Sequence, residues 1–294
     1  MVYDYSYINK REQYASLSRV SILSHMNKKN SKKGAPTIEK VGHPFSQKNS
    51  STIASLLCLS LKCLDRSMNR VMQFLKGQKN TAGPQKHQAV ALMVASDLSV
   101  FYRCSFKGYQ DTLLVHSLRQ FYRDCQIYGT IDFIFGDAAT VFQNCDIFLR
   151  RPMDHQANMI TAQGRDDPNQ NTGISIVNSR VAPTSDFHGV KGNFRNYLGR
   201  PWKKYSRAVF LNTDLDGFID QKGWKEWRGD FALSTLYYAE YMNTGIGAST
   251  QNRVKWPGFH VLKDHQEANP FTVKNFIQGD SWIPSTGVPF WAEI

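Results

Sequence analysis

From Ala89 onward the chain is a series of short runs of β-branched and aromatic residues, broken by Gly, Asn and Asp. One pattern returns along it. Phe101-x-x-Cys104-x-Phe106 is followed by Tyr122-x-x-Cys125-x-Ile127, by Phe142-x-x-Cys145-x-Ile147 and, more distantly, by Ile176-x-x-Ser179-x-Val181. The first three copies are 21 and 20 residues apart, and the last gap of 34 leaves room for a loop around Asp166-Asp167-Pro168-Asn169. A period near 20 with strand-like composition predicts a solenoid whose rungs stack as parallel strands. The hairpin turns that a sandwich needs are missing between the runs. The expected fold is therefore all-β, a right-handed parallel β-helix. Residues 237–294, rich in Tyr, Trp, Phe and Pro, are expected as loops and short helices laid along it.

Stacking has chemical consequences. Equivalent positions on neighbouring rungs lie about 4.8 Å apart. Cys104, Cys125 and Cys145 would form a column, and adjacent members could bridge, since a disulfide needs Cα atoms roughly 4.4–6.8 Å apart. The same period brings Asp111 near Asp132 and Gln88 near Gln110. Asp132 sits in the run Ile131-Asp132-Phe133-Ile134-Phe135. A carboxylate buried there is costly unless it is paired or used.

The first part of the chain has a different texture. Residues 1–87 hold 15 Lys/Arg against 4 Asp/Glu, whereas residues 88–294 hold 21 against 20. The basic segment could meet a polyanion, though a solvated tail explains it as well. Residues 1–79 read as a separate, irregular or partly helical segment, with helical spacing of Leu57, Leu61, Leu64, Met68 and Met72 over residues 55–75. The longest apolar run, residues 52–61, is too short to span a bilayer, and the start does not read as a signal peptide. Asn49-Ser50-Ser51 has the form of a glycosylation acceptor. The five Cys show no zinc-type spacing.

Residues 80–294 resemble the plant-type pectin methylesterases (pectinesterases). The resemblance is carried by residues 83–92, by Gly108-Tyr109-Gln110-Asp111-Thr112-Leu113 and by residues 128–136. It continues in Thr161-Ala162-Gln163-Gly164-Arg165, Leu198-Gly199-Arg200-Pro201-Trp202, Gly223-Trp224-Lys225-Glu226-Trp227 and Arg253-Val254-Lys255-Trp256-Pro257-Gly258. The resemblance implies removal of methyl esters from pectin, with release of methanol, by a secreted monomer of the plant cell wall. It implies no metal or organic cofactor, no nucleic acid and no membrane. A proteinaceous pectinesterase inhibitor is the implied protein partner. The alternative is an inactive pectin-binding protein on the same scaffold. A lyase or glycosidase would leave Gln88, Gln110 and Arg200 unexplained, and a nucleic-acid binder would rest on residues 1–79 alone.

The resemblance also implies roles. Asp132 is the nucleophile, and Asp111 is the acid for the leaving methoxide and then the base for water. Gln110 donates to the oxyanion and Gln88 holds the ester. Arg200 pairs with Asp132, and Trp202 stacks on a sugar ring. A disulfide links Cys125 and Cys145, leaving Cys104 as a buried thiol. No Gly-x-Ser-x-Gly elbow supports a serine triad. Trp227 reads as a core residue, and His87 and His116 read as non-catalytic. Two positions depart from the family: Met93 stands where Arg is usual, and Asp137 where Asn is usual. The family's additional early rungs have no recognisable motif in residues 1–79.

Overall fold

The computed structural model describes the backbone of Val71–Gln73 and residues 77–294. The basic segment, the glycosylation acceptor, Cys58, Cys63 and most of the expected helix at 55–75 lie outside the described residues. Among the described residues, the strands form three parallel sheets that the chain visits in rotation. The eight-stranded sheet runs β1 (Val71–Gln73), β4 (Ser99–Tyr102), β7 (Arg119–Arg123), β10 (Ala139–Gln143), β13 (Gly173–Val177), β16 (Arg207–Leu211), β18 (Tyr237–Tyr241) and β19 (Phe259–Val261). The six-stranded sheet holds β2 (Gln78–Lys79), β5 (Ser105–Lys107), β8 (Gln126–Gly129), β11 (Asp146–Leu149), β14 (Arg180–Pro183) and β17 (Asp214–Leu215). The five-stranded sheet holds β3 (Leu92–Val94), β6 (Leu113–Val115), β9 (Ile134–Gly136), β12 (Asn158–Gln163) and β15 (Asn196–Gly199). Each strand pairs with the strand one rung away, as in a parallel β-helix.

The sequence repeat is the visible trace of one turn. Arg103, Asp124, Asn144, Asn178 and Asn212 all take left-handed backbone with φ between 47° and 55°. Asn and Asp tolerate that conformation better than most residues. The residue after each of them points inward: Cys104, Cys125, Cys145, Ser179 and Thr213. From Cys125 onward its sulfur or oxygen reaches a carbonyl of the preceding rung. Cys125 Sγ donates to Phe101 at 3.4 Å, and Cys145 Sγ to Tyr122 at 3.5 Å. Ser179 Oγ donates to Phe142 at 3.5 Å, and Thr213 Oγ1 to Ile176 at 3.4 Å. A small side chain with one donor is what the position requires. That is why thiols give way to hydroxyls as the coil proceeds.

The interior is built from columns. Phe101, Tyr122 and Phe142 are in register and stack with ring centroids 4.8 and 4.5 Å apart. Such pairs add about 0.5–1.5 kcal/mol each beyond the area they bury. Ile176 and Phe210 continue the column. Glu240 comes next in register, opposite Phe210. It is buried, and Arg253 clamps it with bonds of 2.8 and 3.0 Å while Trp224 Nε1 donates to it at 3.1 Å. The outer face of the eight-stranded sheet, with Val100, Phe121, Val141, Val177 and Val209, is covered by the C-terminal segment through Phe271, Phe276, Ile277 and Trp282. Short helices at His265–Ala268 and Val273–Ile277 form there, capped by Asp264 and Thr272. Among the described residues no helix is long and apolar enough to cross a membrane.

Three expectations change. Residues 71–73 form a strand rather than the end of a helix, because β1 pairs in register with β4. With β2 it brings residues ahead of Asn80 into the solenoid. The expected bridge is not formed: Cys125 and Cys145 stand as separate buried thiols in the column, each donating to a backbone carbonyl. Burial pushes the Cys125 thiol well up from its ordinary value, which keeps it protonated and unreactive.

Candidate active site

The two aspartates arise from the same turn on consecutive rungs, where the chain passes from the six-stranded to the five-stranded sheet. The amide of Thr130 donates to Tyr109 at 3.0 Å, that of Asp111 to Ile131 at 3.0 Å and that of Leu113 to Phe133 at 2.9 Å. This ladder puts Asp111 beside Asp132. Both take left-handed backbone, with φ of 60° and 51°. Buried Thr112 ties the two turns together: its Oγ1 donates to the carbonyl of Tyr109 in its own turn at 3.1 Å and to that of Tyr128 on the next rung at 2.9 Å. Left-handed backbone recurs elsewhere in this coil, so it marks the turn and not the chemistry. What sets these two positions apart is that a carboxylate occupies each of them, almost fully out of water.

Arg200 supplies the charge that makes this tolerable. It follows β15, two rungs on from β9. Its Nε donates to one Asp132 oxygen at 2.8 Å and its Nη2 to the other at 2.9 Å. A two-point clamp of this kind fixes the orientation of the carboxylate and sets a positive charge against it. Burial alone would lower the Arg200 pKa, but the charge of Asp132, its hydrogen bonds and the field of Asp111 outweigh it and raise the value. The guanidinium therefore feels both aspartates. On the inner side, burial pushes the Tyr238 phenol far up, and the charge of Asp132 adds to this. Tyr238 Oη lies 3.0 Å from Ser206 Oγ.

The glutamines stand on the earlier side. The amide of Ala89 donates to Gln110 O at 3.1 Å, which sets Gln88 one rung before Gln110. Both side chains are half-buried and reach solvent, as donors to an incoming ligand must. The outer face of the five-stranded sheet forms an apolar floor: Val90, Leu114, Phe135 and Ala162, with Met93, Trp202 and Trp227 packed against them. Trp202 meets Phe135 edge to face at 6.2 Å. It lies over Gly164, where a Cβ would come within 2.8 Å of the indole. Trp227 is not a core residue: it is half-buried, and the Arg200 guanidinium sits 4.4 Å over its ring. The fully buried tryptophan of that motif is Trp224. His87 and His116 are exposed.

Asp137 lies one turn further along, in another polar cluster. Thr172 Oγ1 donates to it at 2.6 Å and Gln163 Nε2 at 3.4 Å. Burial raises its pKa, against those hydrogen bonds and the charge of Arg165.

Two carboxylates thus meet on neighbouring rungs of a β-helix, one of them clamped by arginine, with two glutamines and an apolar cluster beside them. Comparison with known proteins gives the family. The pectinesterase family model matches residues 63–280. The chain is 74% identical over 216 residues to "Probable pectinesterase/pectinesterase inhibitor 36" of Arabidopsis thaliana, covering 74% of this chain and 42% of that protein. It is 64% identical over 212 residues to pectinesterase 2 of Citrus sinensis, covering 72% of this chain and 41% of that protein. The solved pectin methylesterase from carrot superposes with a TM-score of 0.73 at 56% identity, covering 74% of this chain and 68% of that one. The chain belongs to the pectinesterase family. It spans about two fifths of the length of the two curated relatives named here.

Proposed function

We propose that this chain hydrolyses the methyl esters of pectin, releasing methanol and leaving free carboxylates on the polymer. The observation that carries the reading is the pair Asp111 and Asp132 at one turn of successive rungs, with Asp132 clamped by Arg200. The clamp holds Asp132 in one orientation beside a fixed positive charge, which suits it to attack the ester carbonyl. Negative charge then develops on the carbonyl oxygen. Gln110, with Gln88 beside it, supplies amide hydrogens for that oxygen. Asp111 gives a proton to the departing methoxide and takes one back from the water that opens the acyl-enzyme, which restores both carboxyl groups. Trp202 offers a flat apolar surface to a sugar ring, next to the floor of Leu114 and Phe135. Water is the one further reactant that these two steps consume.

The same reading makes pectin the ligand, a proteinaceous pectinesterase inhibitor the protein partner, and the plant cell wall the site of action of a secreted monomer.

Methanol release from methylated pectin tests the proposal. Activity is expected from the protein and loss of it from Asp132→Ala. Equal, near-zero rates for the two would remove the enzyme reading.

A further inference from the structure

The outward column of the five-stranded sheet runs along the coil as Met93, Leu114, Phe135, Ala162 and Arg200. The register is direct. Met93 pairs with Leu114, Leu114 with Phe135 and Phe135 with Ala162, and Gly199 opposite Thr161 places Arg200 opposite Ala162. One end of this apolar column therefore carries a cation, already committed to Asp132 by two bonds. The other end carries a thioether. Met93 is half-buried and packs on the Val90, Leu114 and Phe135 cluster.

Leu114 shares its rung with Asp111, and Phe135 with Asp132. Met93 is thus one rung beyond the first acid and two beyond the second, about 10 Å away. That is the reach of the next sugar of a polymer whose ester lies between the aspartates. We propose that Met93 is a specificity-determining residue, which makes this neighbouring position prefer a methyl-esterified uronate over a free one. The inference rests on the esterase reading of the site and extends it.

The physical reason is desolvation. A free carboxylate laid on Met93 gives up water, and a thioether has no hydrogen to donate in return. A methyl ester loses little water and places its methyl group on a soft apolar surface. A contact of this size discriminates by about ten- to a hundredfold. The enzyme would then favour methylated stretches and slow down as its own products accumulate on that side.

The test compares kcat/KM on pectin of high and of low methyl-ester content for the wild type, Met93→Leu, Met93→Gln and Met93→Arg. The wild type and Met93→Leu should favour the highly methylated polymer. Met93→Arg should lower that preference by about tenfold, and Met93→Gln by a smaller factor. A second arm needs no turnover. In an Asp132→Ala background, calorimetry reads the binding of methylated and unmethylated oligogalacturonides with Met93 present and with Met93→Arg. The preference should move towards the unmethylated ligand. Should the wild type release no methanol, the esterase reading fails while this binding arm still decides about Met93. A preference that Met93→Arg and Met93→Gln leave unchanged, in binding or in turnover, overturns the proposal.

Discussion

Arg253→Met should lower stability by about 3–5 kcal/mol, because it leaves the buried carboxylate of Glu240 without its counter-charge. The side chains of Arg253 and Glu240 are 2% and 1% exposed, so water cannot take over the lost contacts. Arg253 also donates to the carbonyls of Gln221 at 3.1 Å and Gly247 at 2.7 Å, and both would lose that donor. Each lost bond of that type costs roughly 1 kcal/mol, part of which methionine packing offsets. For a domain of this size, roughly 2–4 °C of Tm accompanies each kcal/mol, so a fall on the order of 10 °C is expected. Removing both charges should do less harm than removing one. The double variant Glu240→Leu with Arg253→Met has no isolated charge to bury, and is expected to recover about half of the loss. Urea denaturation followed by tryptophan fluorescence is a suitable assay, since Trp224 donates to Glu240 and stacks on Tyr238 at 4.2 Å. A loss below about 1 kcal/mol for Arg253→Met would refute the reasoning. So would a double variant no more stable than the single one.

Arg200→Lys should lower methanol release by about tenfold or more at unchanged fold, because an ammonium cannot reproduce the two-point clamp on Asp132; kcat measured beside a far-ultraviolet spectrum checks this. Gly136→Ala should destabilise by several kcal/mol, as its φ of 128° suits glycine and its Cβ would come 2.0 Å from the carbonyl oxygen of Val115; thermal unfolding reads the loss. Asp137 has a raised folded-state pKa, so the stability it contributes is full below the ordinary carboxylate range and is lost as pH rises through the raised value. Asp137→Asn should therefore gain on the wild type as pH rises, and a Tm difference that stays flat with pH contradicts this.

Much of this protein was legible in its residues, because a solenoid writes its geometry into the chain as a period. The turn that repeats at Arg103, Asp124 and Asn144 is followed each time by a small inward side chain with one donor, so the spacing of Cys104, Cys125 and Cys145 announced parallel rungs. The same period placed Asp111 beside Asp132. Other features carry no local signal. Arg200 lies 68 positions from Asp132, across the insertion at 164–172 and the helical segment at 185–193, and only the family resemblance pointed to it. Trp224 and Trp227 belong to one motif, yet one bridges Gly199 and fills the core while the other, three residues on, lies under Arg200, a difference in side-chain direction that their spacing does not announce. The strand at Val71–Gln73 read as the end of a helix because its apolar spacing fits either element, and pairing with β4 settles the choice. The periodicity alone determined the coil and the meeting of two acids. The arginine that clamps one of them, the apolar floor beside them and the buried ion pair of Glu240 with Arg253 were decided by tertiary packing, because such charges and aromatics are selected by burial and not by spacing.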